Sequence, residues 1–313
     1  MITIFTIPKP FIGLDNIHQR NAIQSWLAIR PESEIILCGN DQGVAEAAKE
    51  YGVVHIPDIP VNEFGTPYLN AAFERAQEIA RYNLMCYVNA DIIFFDDLMV
   101  TLGHVPFEKF LIVGRRWDID VDQLIDFQNP NTNQSFKLDV LSNASVNKPL
   151  GSDYFVFKKH SLGKLPAFVV GRPHWDNWMI YNARKKRQPV VDASLAIVDV
   201  HQNHGYTHVP QGIYDSWYGP EADANNEHVG DEKNFTLWDC THTIDEKGTI
   251  AKTKGERYLS RKIQTISILK PRQGWPGKWQ AFLQKVLMSL YYRRKKMPYS
   301  VLEFAVNAIS VLC

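Results

Sequence analysis

Three residues, Asn89, Ala90 and Asp91, interrupt an apolar run that covers residues 86–98. A short run rich in Val, Ile and Phe is typical of a buried strand, so the pattern predicts a strand that presents a polar tip and then continues. Mg²⁺ and Mn²⁺ are often held by only one or two protein carboxylates together with phosphates, which makes Asp91 a candidate metal ligand. The alternative is a plain turn in which Asn and Asp side chains bond their own backbone.

A second candidate carboxylate, Asp176, lies between Trp175 and Trp178 near the start of a predicted helix that opens at Gly171. Indole rings cover the apolar C–H faces of sugars, and a carboxylate beside them can take the proton of an attacking hydroxyl. This pattern indicates a general base with two acceptor-binding tryptophans. An acidic residue in the first turn of a helix is also favoured by the helix dipole, so a purely structural charge is the alternative.

Arg115 and Arg116 follow a predicted strand over Leu111–Val113. Guanidinium groups bind phosphate oxygens bidentately, so this pair is a candidate clamp for a diphosphate. The alternative is that at least one of these arginines pairs with an aspartate of residues 118–122.

His201 and His204 come after residues 193–200, an apolar stretch that predicts a strand. Clustered histidines suggest zinc, but no cysteine lies nearby and the spacing does not suit one face of a helix. A histidine that is only hydrogen-bonded within a loop is the simpler alternative. The residues alone therefore leave the role of both histidines open.

The elements before Asp91 alternate between strands and helices, with start and stop signals such as Asp15, Gly52 and Thr66-Pro67. Two strand–helix units in a row imply a parallel sheet with right-handed crossovers. The predicted fold is α/β, with a mostly parallel, Rossmann-like sheet flanked by helices and a C-terminal helical extension. The predicted strands are 2–7, 34–38 and 53–56. The predicted helices are 15–30, 42–50 and a third with Thr66 as its cap and Pro67 as its first helical residue.

Composition excludes several classes of protein. With 313 residues that are 45% hydrophobic, the chain can bury a large core. Lys+Arg and Asp+Glu are equal at 34 each, so no overall charge favours nucleic acid. Four widely spaced cysteines indicate a reducing compartment, and we expect neither a signal peptide nor a membrane span. The glycine motifs of dinucleotide-binding and P-loop proteins do not occur.

Two polar segments and a basic tail follow from the same patterns. Residues 129–147 are expected to form an Asn-rich loop, and 211–234, around Trp217 and Tyr218, a lid or a long loop. From residue 275, apolar residues recur at helical spacing beside Lys and Arg, which is typical of an amphipathic helix on a membrane surface. Packing of this stripe against the main domain is the alternative.

Taken in order, residues 2–204 resemble the nucleotide-diphospho-sugar glycosyltransferases of the A-type fold, in particular the broad family 2 group. Asn89-Ala90-Asp91 is similar to the family's Asp-x-Asp motif, with Asn89 as a departure that removes one charge. The other residues that carry the resemblance are Thr6, Pro8, Asn40, Asp41, Gly65 and Asn70.

The resemblance implies an enzyme that moves a hexosyl or pentosyl group from a nucleotide-diphosphate sugar to an acceptor hydroxyl, with Mn²⁺ or Mg²⁺ on the diphosphate. It implies that Asp91 holds the metal and that His201 or His204 compensates for Asn89. The implied donor-binding residues are Thr6, Pro8, Lys9, Asp41, Asn70, Asn89, Ala90, Arg115 and Arg116.

For the chemical step, the resemblance implies that Asp153, which follows Gly151-Ser152, contacts the sugar and that Asp176 is the general base of an inverting reaction. A plain turn carboxylate is the alternative for Asp153. Together these two aspartates are the predicted catalytic residues.

The predicted organisation is a nucleotide-sugar-binding and catalytic α/β domain at 1–210, a loop-rich segment at 211–274 and a basic helical tail at 275–313. The predicted partners are a nucleotide-diphosphate sugar and a glycan or lipid-linked acceptor, without nucleic acid. Peripheral membrane contact through the tail would place the protein in the cytoplasm, at the inner face of a membrane.

Two other functions stay open. A sugar-nucleotide pyrophosphorylase needs a Gly-rich phosphate loop and a catalytic cation after the first strand, where Lys9 is the only support. A non-catalytic carbohydrate-binding or membrane-scaffold protein would use the Trp-rich segments without turnover.

Overall fold

A large β-sheet organises the chain, and apolar clusters cover both of its faces. The computed structural model describes residues 1–204, 213–271, 274–292 and 299–312. Successive residues of a strand point to opposite faces, so Ile4 joins one cluster and Phe5 the other, and both are fully buried. The core is therefore a helix–sheet–helix sandwich.

The strands form two sheets. The strands are β1 (Thr3–Thr6), β2 (Glu34–Cys38), β3 (Val54–Ile56), β4 (Leu84–Val88), β5 (Ile92–Ile93), β6 (Leu111–Val113), β7 (Trp117–Ile119), β8 (Ser145–Val146), β9 (Tyr154–Lys158), β10 (Val190–Asp192), β11 (Val200–Gln202), β12 (His242–Ile244) and β13 (Ile250–Lys252). Within the described residues the larger sheet has nine strands, in the order β13-β12-β10-β6-β9-β4-β1-β2-β3. In this sheet β9 and β13 run antiparallel to their neighbours, and the remaining pairs are parallel.

Helices cover both faces of this sheet. Trp26 of the first helix packs in the Ile4 cluster, and Phe73 of the third packs in the Phe5 cluster, so the apolar stripes face the sheet as predicted. The helices are α1 (Gly13–Ala28), α2 (Val44–Tyr51), α3 (Leu69–Ile79), α4 (Asp97–Gly103), α5 (Pro130–Asn143), α6 (Trp175–Lys185), α7 (Ile213–Tyr218), α8 (Pro220–Val229), α9 (Glu256–Leu269), α10 (Gly274–Tyr292) and α11 (Tyr299–Leu312). The predicted α/β class, with a mostly parallel sheet flanked by helices and a helical C-terminal extension, is confirmed.

The antiparallel strand β9 decides which loops meet. Its first residue, Tyr154, pairs with Val88, the last residue of β4. Because β9 runs in the opposite direction to β4 and β6, the loop before β9 lies at the carboxyl ends of both strands. Open α/β sheets bind ligands at this edge.

A small second sheet, in the order β5-β11-β7-β8, lies next to Asp91. His201 on the central strand β11 pairs with Ile92 on one side and with Asp118 on the other. The tip of β4, a histidine and an aspartate are therefore placed side by side by backbone pairing.

Several predicted helix starts were wrong by a few residues. The third helix begins at Leu69, because Pro67 and Tyr68 make extended β-bridges to Val61 and Val169 before it. Asp15 lies in the first turn of α1, whose cap is Ile12, and does not cap it.

Residues 129–147, predicted as a loop, contain helix α5. The Asn129 side chain accepts hydrogen bonds from the amides of Asn131 and Thr132, and Pro130 occupies the first helical position. An Asn cap followed by Pro is a known helix start, so the sequence did carry this signal.

Two further predictions of local structure were wrong. Residues 193–199 form no strand; the amide of Ala196 bonds the carbonyl of Ala193 in a turn, where Ala193 and Ile197 are buried and Leu195 is exposed. The segment expected to be a loop at 211–234 contains α7 and α8, while 211 and 212 lie outside the described residues. The lid role of this segment stays a prediction.

The C-terminal helices pack on one another and leave aromatic residues exposed. Leu287 is buried with Ile263 of α9 and Val306 of α11, whereas Trp279 and Phe282 are 47% and 55% exposed. None of the described helices is long and apolar enough to cross a membrane. The basic residues at 293–296 lie outside the described part of the chain, and the two predicted boundaries between the three segments stay predictions.

Candidate functional site

The loop before β9 joins two other loops at the carboxyl edge of the sheet. The amide of Asn89 donates to the carbonyl of Asp153 at 2.9 Å. The Ser152 hydroxyl accepts from the amide of Gly114 at 3.1 Å and donates to a backbone carbonyl. The Asn89–Asp91 tip, the 151–153 segment and the 114–116 segment therefore form one continuous surface.

Asp91, His201 and His204 form a cluster with metal-ligand spacing. His204 Nε2 lies 2.8 Å from Asp91 Oδ2, and His201 Nε2 lies 3.8 Å from the same oxygen. One ligand atom from each of the three residues lies within 4.8 Å of the other two. The structure thus brings together the three residues that were predicted as metal ligands.

The surroundings of Asp91 hold it as a carboxylate. Burial by itself raises the pKa of Asp91, but the hydrogen bond with His204 and the charges of His201 and Lys9 outweigh burial and keep this pKa well below its usual range. Asp91 Oδ1 is buried without a hydrogen-bond partner among the described residues. Such an atom is costly unless another group satisfies it, and a bound cation would do so.

The donor set fits a divalent cation. A carboxylate suits both Mn²⁺ and Mg²⁺, whereas imidazole nitrogen is a softer ligand than the oxygens that Mg²⁺ demands. One carboxylate and two imidazoles therefore accommodate the predicted Mn²⁺ or Mg²⁺, with Mn²⁺ better matched.

A chain of charged side chains connects this cluster to Asp153. His201 Nδ1 lies 3.0 Å from Asp118 Oδ1, and the Arg116 Nε donates to the same oxygen at 2.8 Å. Arg116 also donates to Asp153 at 3.0 Å, and the other oxygen of Asp153 accepts from Asn89 at 2.7 Å. Arg116 pairs with Asp118, as the alternative to the diphosphate clamp predicted, and the Asn89 side chain donates to the Asp153 carboxylate.

Asp118 lies against the His201 ring, on the side of Nδ1, and the sequence did not single it out for the metal site. A carboxylate behind a histidine fixes which ring nitrogen faces the metal. We expect Asp118→Asn to weaken Mn²⁺ binding about 10- to 100-fold, because such outer partners are worth that much in affinity. Isothermal titration with Mn²⁺ measures the change.

A purely structural role of Asp118 predicts something else. It would lower the melting temperature of the metal-free protein and leave Mn²⁺ affinity near the wild-type value. That result would assign Asp118 to stability alone.

Gln202, also missed by the sequence analysis, anchors the backbone of Asp91. Its amide donates to the carbonyls of Asp91 and His18, both at 2.9 Å, and its carbonyl accepts from Asn21 at 3.0 Å. Gln202 is fully buried. Its position between His201 and His204 was the available signal, whereas nothing local marks Asn21 or His18.

Asp176 lies in the first turn of α6 and contacts the segment before β9. Burial raises the pKa of Asp176 to about 7; the backbone amides of Asn177 and Ser152 oppose this shift and the charge of Asp153 adds to it. The Asn177 side chain holds this segment in place by donating to the carbonyl of Leu150 at 2.6 Å. A carboxyl group with a pKa near neutrality is suited to proton transfer.

Gly151 makes room for Asp176. A Cβ atom at position 151 would overlap Asp176 Oδ2, while the backbone conformation of Gly151 is open to other residues. We expect Gly151→Ala to lower turnover about tenfold or more by displacing the carboxylate, since small misplacements of a catalytic group are costly. Steady-state kinetics measures the effect.

Gly103→Ala is the matched control, because a Cβ there contacts nothing. If both variants keep full activity, the position of the Asp176 carboxylate does not matter for turnover.

Two predicted donor-binding side chains carry unsatisfied atoms. Thr6 Oγ1 and Asn70 Oδ1 are buried without hydrogen-bond partners in the described residues. Thr6 ends β1 and Asn70 is the second residue of α3, so both lie at the carboxyl edge. Their contact with a donor stays a prediction.

The remaining donor-binding candidates surround the same edge. Lys9 acts electrostatically on Asp91 and lies 3.4 Å from Asp15. Asp41 is partly buried, which raises its pKa. Pro8 and Ala90 are partly exposed in the loops after β1 and β4.

Arg115 is hydrogen-bonded to other residues of the protein. Its Nε donates to the carbonyl of Asn147 at 2.6 Å, and its amide donates to Ser194 at 2.9 Å. With Arg116 paired as well, both guanidinium groups are engaged within the protein. Diphosphate binding by these arginines stays a prediction.

Trp175 and Trp178 are core residues. They are 5% and 8% exposed, and the Trp175 ring packs 5.2 Å from both Tyr87 and Phe155. So little exposed indole argues against stacking on a sugar, because the ring faces are covered. Trp217, 45% exposed and 6.3 Å from the His174 ring, is the accessible indole near the start of α6.

No protein-family model matches the chain, and no curated protein matches it in sequence. The chain is similar to the solved structure of glucosyl-3-phosphoglycerate synthase from Mycobacterium tuberculosis with Mn²⁺, uridine diphosphate and phosphoglyceric acid. The two are 15% identical with a TM-score of 0.40, and the match covers 65% of this chain and 71% of that one. Its complex with Mg²⁺ and uridine diphosphate is 14% identical to this chain, with a TM-score of 0.39. That match covers 65% of this chain and 72% of the other. A candidate nucleotide-diphospho-sugar transferase from Desulfovibrio desulfuricans G20 is 12% identical, with a TM-score of 0.40. That match covers 72% of this chain and 95% of the other.

Proposed function

We propose that the protein is a metal-assisted glycosyltransferase that moves a sugar from a nucleotide-diphosphate donor to an acceptor hydroxyl. The observation that carries the proposal is that the 151–153 segment contacts both Asp176 and the loop that carries Asp91. Asp153 binds Asn89, two residues from Asp91, and Gly151 lies against Asp176. A metal-binding carboxylate and a carboxyl group of near-neutral pKa thus share one edge of the sheet.

Asp176 takes the role of general base. It removes the proton of the acceptor hydroxyl while the acceptor oxygen bonds to the anomeric carbon and the bond from that carbon to the diphosphate breaks. A single in-line displacement of this kind inverts the anomeric configuration. The nucleoside diphosphate leaves with the electron pair.

The other end of the site is proposed to bind the diphosphate of the donor. Asp91, His201 and His204 would hold a Mn²⁺ or Mg²⁺ ion, which supplies charge neutralisation for the leaving group. Lys9 adds a positive charge beside Asp91. Asp153, oriented by Asn89 and Arg116, is proposed to bind a hydroxyl of the transferred hexose or pentose.

The acceptor is proposed to be a glycan or a lipid-linked sugar, with the C-terminal helices in contact with the inner face of a membrane from the cytoplasm. Trp279, Phe282 and Phe304 support this contact, since they are 47%, 55% and 75% exposed. Exposed aromatic and aliphatic residues beside Lys side chains are typical of helices that lie in a membrane interface.

Thermal denaturation with a panel of nucleoside diphosphates, each with and without Mn²⁺, tests donor binding. We expect one nucleotide to raise the melting temperature only when Mn²⁺ is present. A ligand at 100 times its Kd stabilises the folded state by about 2.7 kcal/mol, so a bound nucleotide raises the melting temperature. Release of that nucleoside diphosphate from its sugar conjugate then tests transfer.

Two results would contradict the proposal. Release of pyrophosphate from a nucleoside triphosphate would identify a pyrophosphorylase. Glycan binding with no effect of any nucleotide would identify a carbohydrate-binding protein.

A further inference from the structure

A cavity of about 290 Å³ lies at the sheet edge opposite Asp91 and Asp176. It sits between the C-terminal end of α6, the residues that open β10 and β12, and the end of α9. Its lining residues are Arg184, Lys185, Arg187, Gln188, Pro189, Thr241, His242, Leu269 and Lys270. The proposed transfer reaction makes no use of this cavity.

The lining is strongly cationic. Four of the lining residues are Arg or Lys, and no acidic residue lines the cavity within the described part of the chain. Asp239 lies nearby, but its carboxylate is bound by Arg261 at 2.8 Å, and Arg184 meets only its backbone carbonyl. Among the described residues, therefore, no carboxylate that lines the cavity offsets its positive charge.

Arg187 is the lining cation best placed to meet a ligand. It is exposed, and no hydrogen bond or ion pair engages its guanidinium among the residues that the structure describes. Lys185, by contrast, donates to the carbonyls of Ile268 and Leu269 at the end of α9. The cavity thus has one cation that shapes its wall and another that is available to an anion.

Helix α10, which carries exposed aromatic residues, is bonded to a residue that lines the cavity. Gln280 donates to the carbonyl of Lys270 at 2.7 Å, which fixes α10 against the cavity wall. Trp279 precedes Gln280, and its ring contacts Phe282 with centroids 5.7 Å apart. The helix that carries this exposed aromatic pair is therefore anchored at the cavity wall.

We propose that this cavity binds the phosphate of an anionic phospholipid headgroup while Trp279 and Phe282 enter the membrane interface. The inference deepens the proposed membrane contact and rests on it. Arginine and lysine side chains are strong phosphate ligands. The volume of about 290 Å³ is just below the roughly 300–1,000 Å³ typical of small-molecule pockets, which suits a headgroup phosphate better than a whole nucleotide.

Vesicle co-sedimentation of the full chain tests the inference. The vesicles contain phosphatidylcholine alone or phosphatidylcholine with phosphatidylglycerol. We expect binding only to the mixed vesicles, and Arg187→Glu to weaken it by about fivefold or more, since each basic residue near an anionic surface contributes about 1 kcal/mol. Lys49→Glu, an exposed charge reversal on α2, is the matched control and is expected to bind as the wild type does.

The outcomes separate the sources of the phosphate. Equal binding by wild type and Arg187→Glu, or an equal loss with Lys49→Glu, overturns the inference. Stabilisation by inorganic phosphate that Arg187→Glu abolishes, without vesicle binding, assigns the cavity to a free anion and also overturns it. Stabilisation by nucleotide and Mn²⁺ is measured on the same variants. Since Arg187 lies at the edge opposite Asp91, that measurement tests the transferase proposal independently of vesicle binding.

Discussion

Replacing Asp176 with asparagine is expected to lower kcat by about 10²–10⁴-fold, which is the usual contribution of a positioned general base. Asparagine keeps the size of the side chain next to Gly151 but cannot take a proton. Binding of nucleotide and Mn²⁺ is expected to persist, because Asp176 is not part of the Asp91 cluster. Steady-state kinetics and thermal denaturation with both ligands measure the two effects.

The pH dependence of the wild type gives a second readout. Burial raises the pKa of Asp176 to about 7, and a base must be ionised to accept a proton. We therefore expect kcat/KM to rise with pH through about 7. The residual activity of Asp176→Asn should lack this rise.

As pH rises, kcat/KM is expected to increase, whereas the contribution of Asp176 to the free energy of unfolding is expected to decrease. Below the ordinary aspartate pKa of 3.8, the carboxyl is protonated in the folded and unfolded states alike. As pH rises through about 7, the folded protein has to ionise a buried group, so this contribution to stability is lost. Relative to the wild type, Asp176→Asn is expected to be more stable at about pH 8 than at about pH 5, as chemical denaturation at both values would show.

Asp223→Asn is the matched control for this variant, since Asp223 is an exposed acid in the first turn of α8. It should leave kinetics unchanged. Near-normal turnover of Asp176→Asn with intact donor binding would remove the assignment of Asp176 as the base.

Replacing Asp91 with asparagine is expected to abolish stabilisation by Mn²⁺ and to lower kcat/KM about 100-fold or more, because neutralising the leaving group is worth several kcal/mol. Asp91 supplies the only carboxylate of the described metal cluster, and both histidines lie against its Oδ2. Titration with Mn²⁺ in the presence and absence of nucleoside diphosphate measures the loss.

Asp122→Asn removes the same charge from an exposed position of a nearby loop and is the matched control. Full activity of the wild type in excess chelator, or unchanged Mn²⁺ binding by Asp91→Asn, would exclude the proposed role of this cluster.

Local patterns predicted the elements that carry the two carboxylates. The strand that ends at Val88 and the helix that places Asp176 in its first turn follow from periodicities within about ten residues. Helix α5 was missed although Asn129 and Pro130 marked its start. The cause was composition, since a polar Asn-rich segment lacks the apolar stripe by which helices are recognised.

Local sequence patterns could not predict which side chains contact one another across the fold. Asp118 lies 83 residues before His201, and backbone pairing of β7 with β11 is what sets them side by side. Likewise, nothing near Trp175 or Trp178 in sequence distinguishes a core indole from a sugar platform. Only the packing of α6 against the sheet decided between them.

By itself, the sequence determined the α/β class and the polar tip at Asp91, since hydrophobic periodicity and cap residues act over short stretches of chain. The tertiary structure alone decided that Asp91 meets two histidines, that Arg116 is engaged by Asp118 and Asp153, and that Asp176 is buried enough to raise its pKa. The physical reason is that desolvation and charge pairing depend on distances between residues remote in sequence, which sheet order and crossovers set.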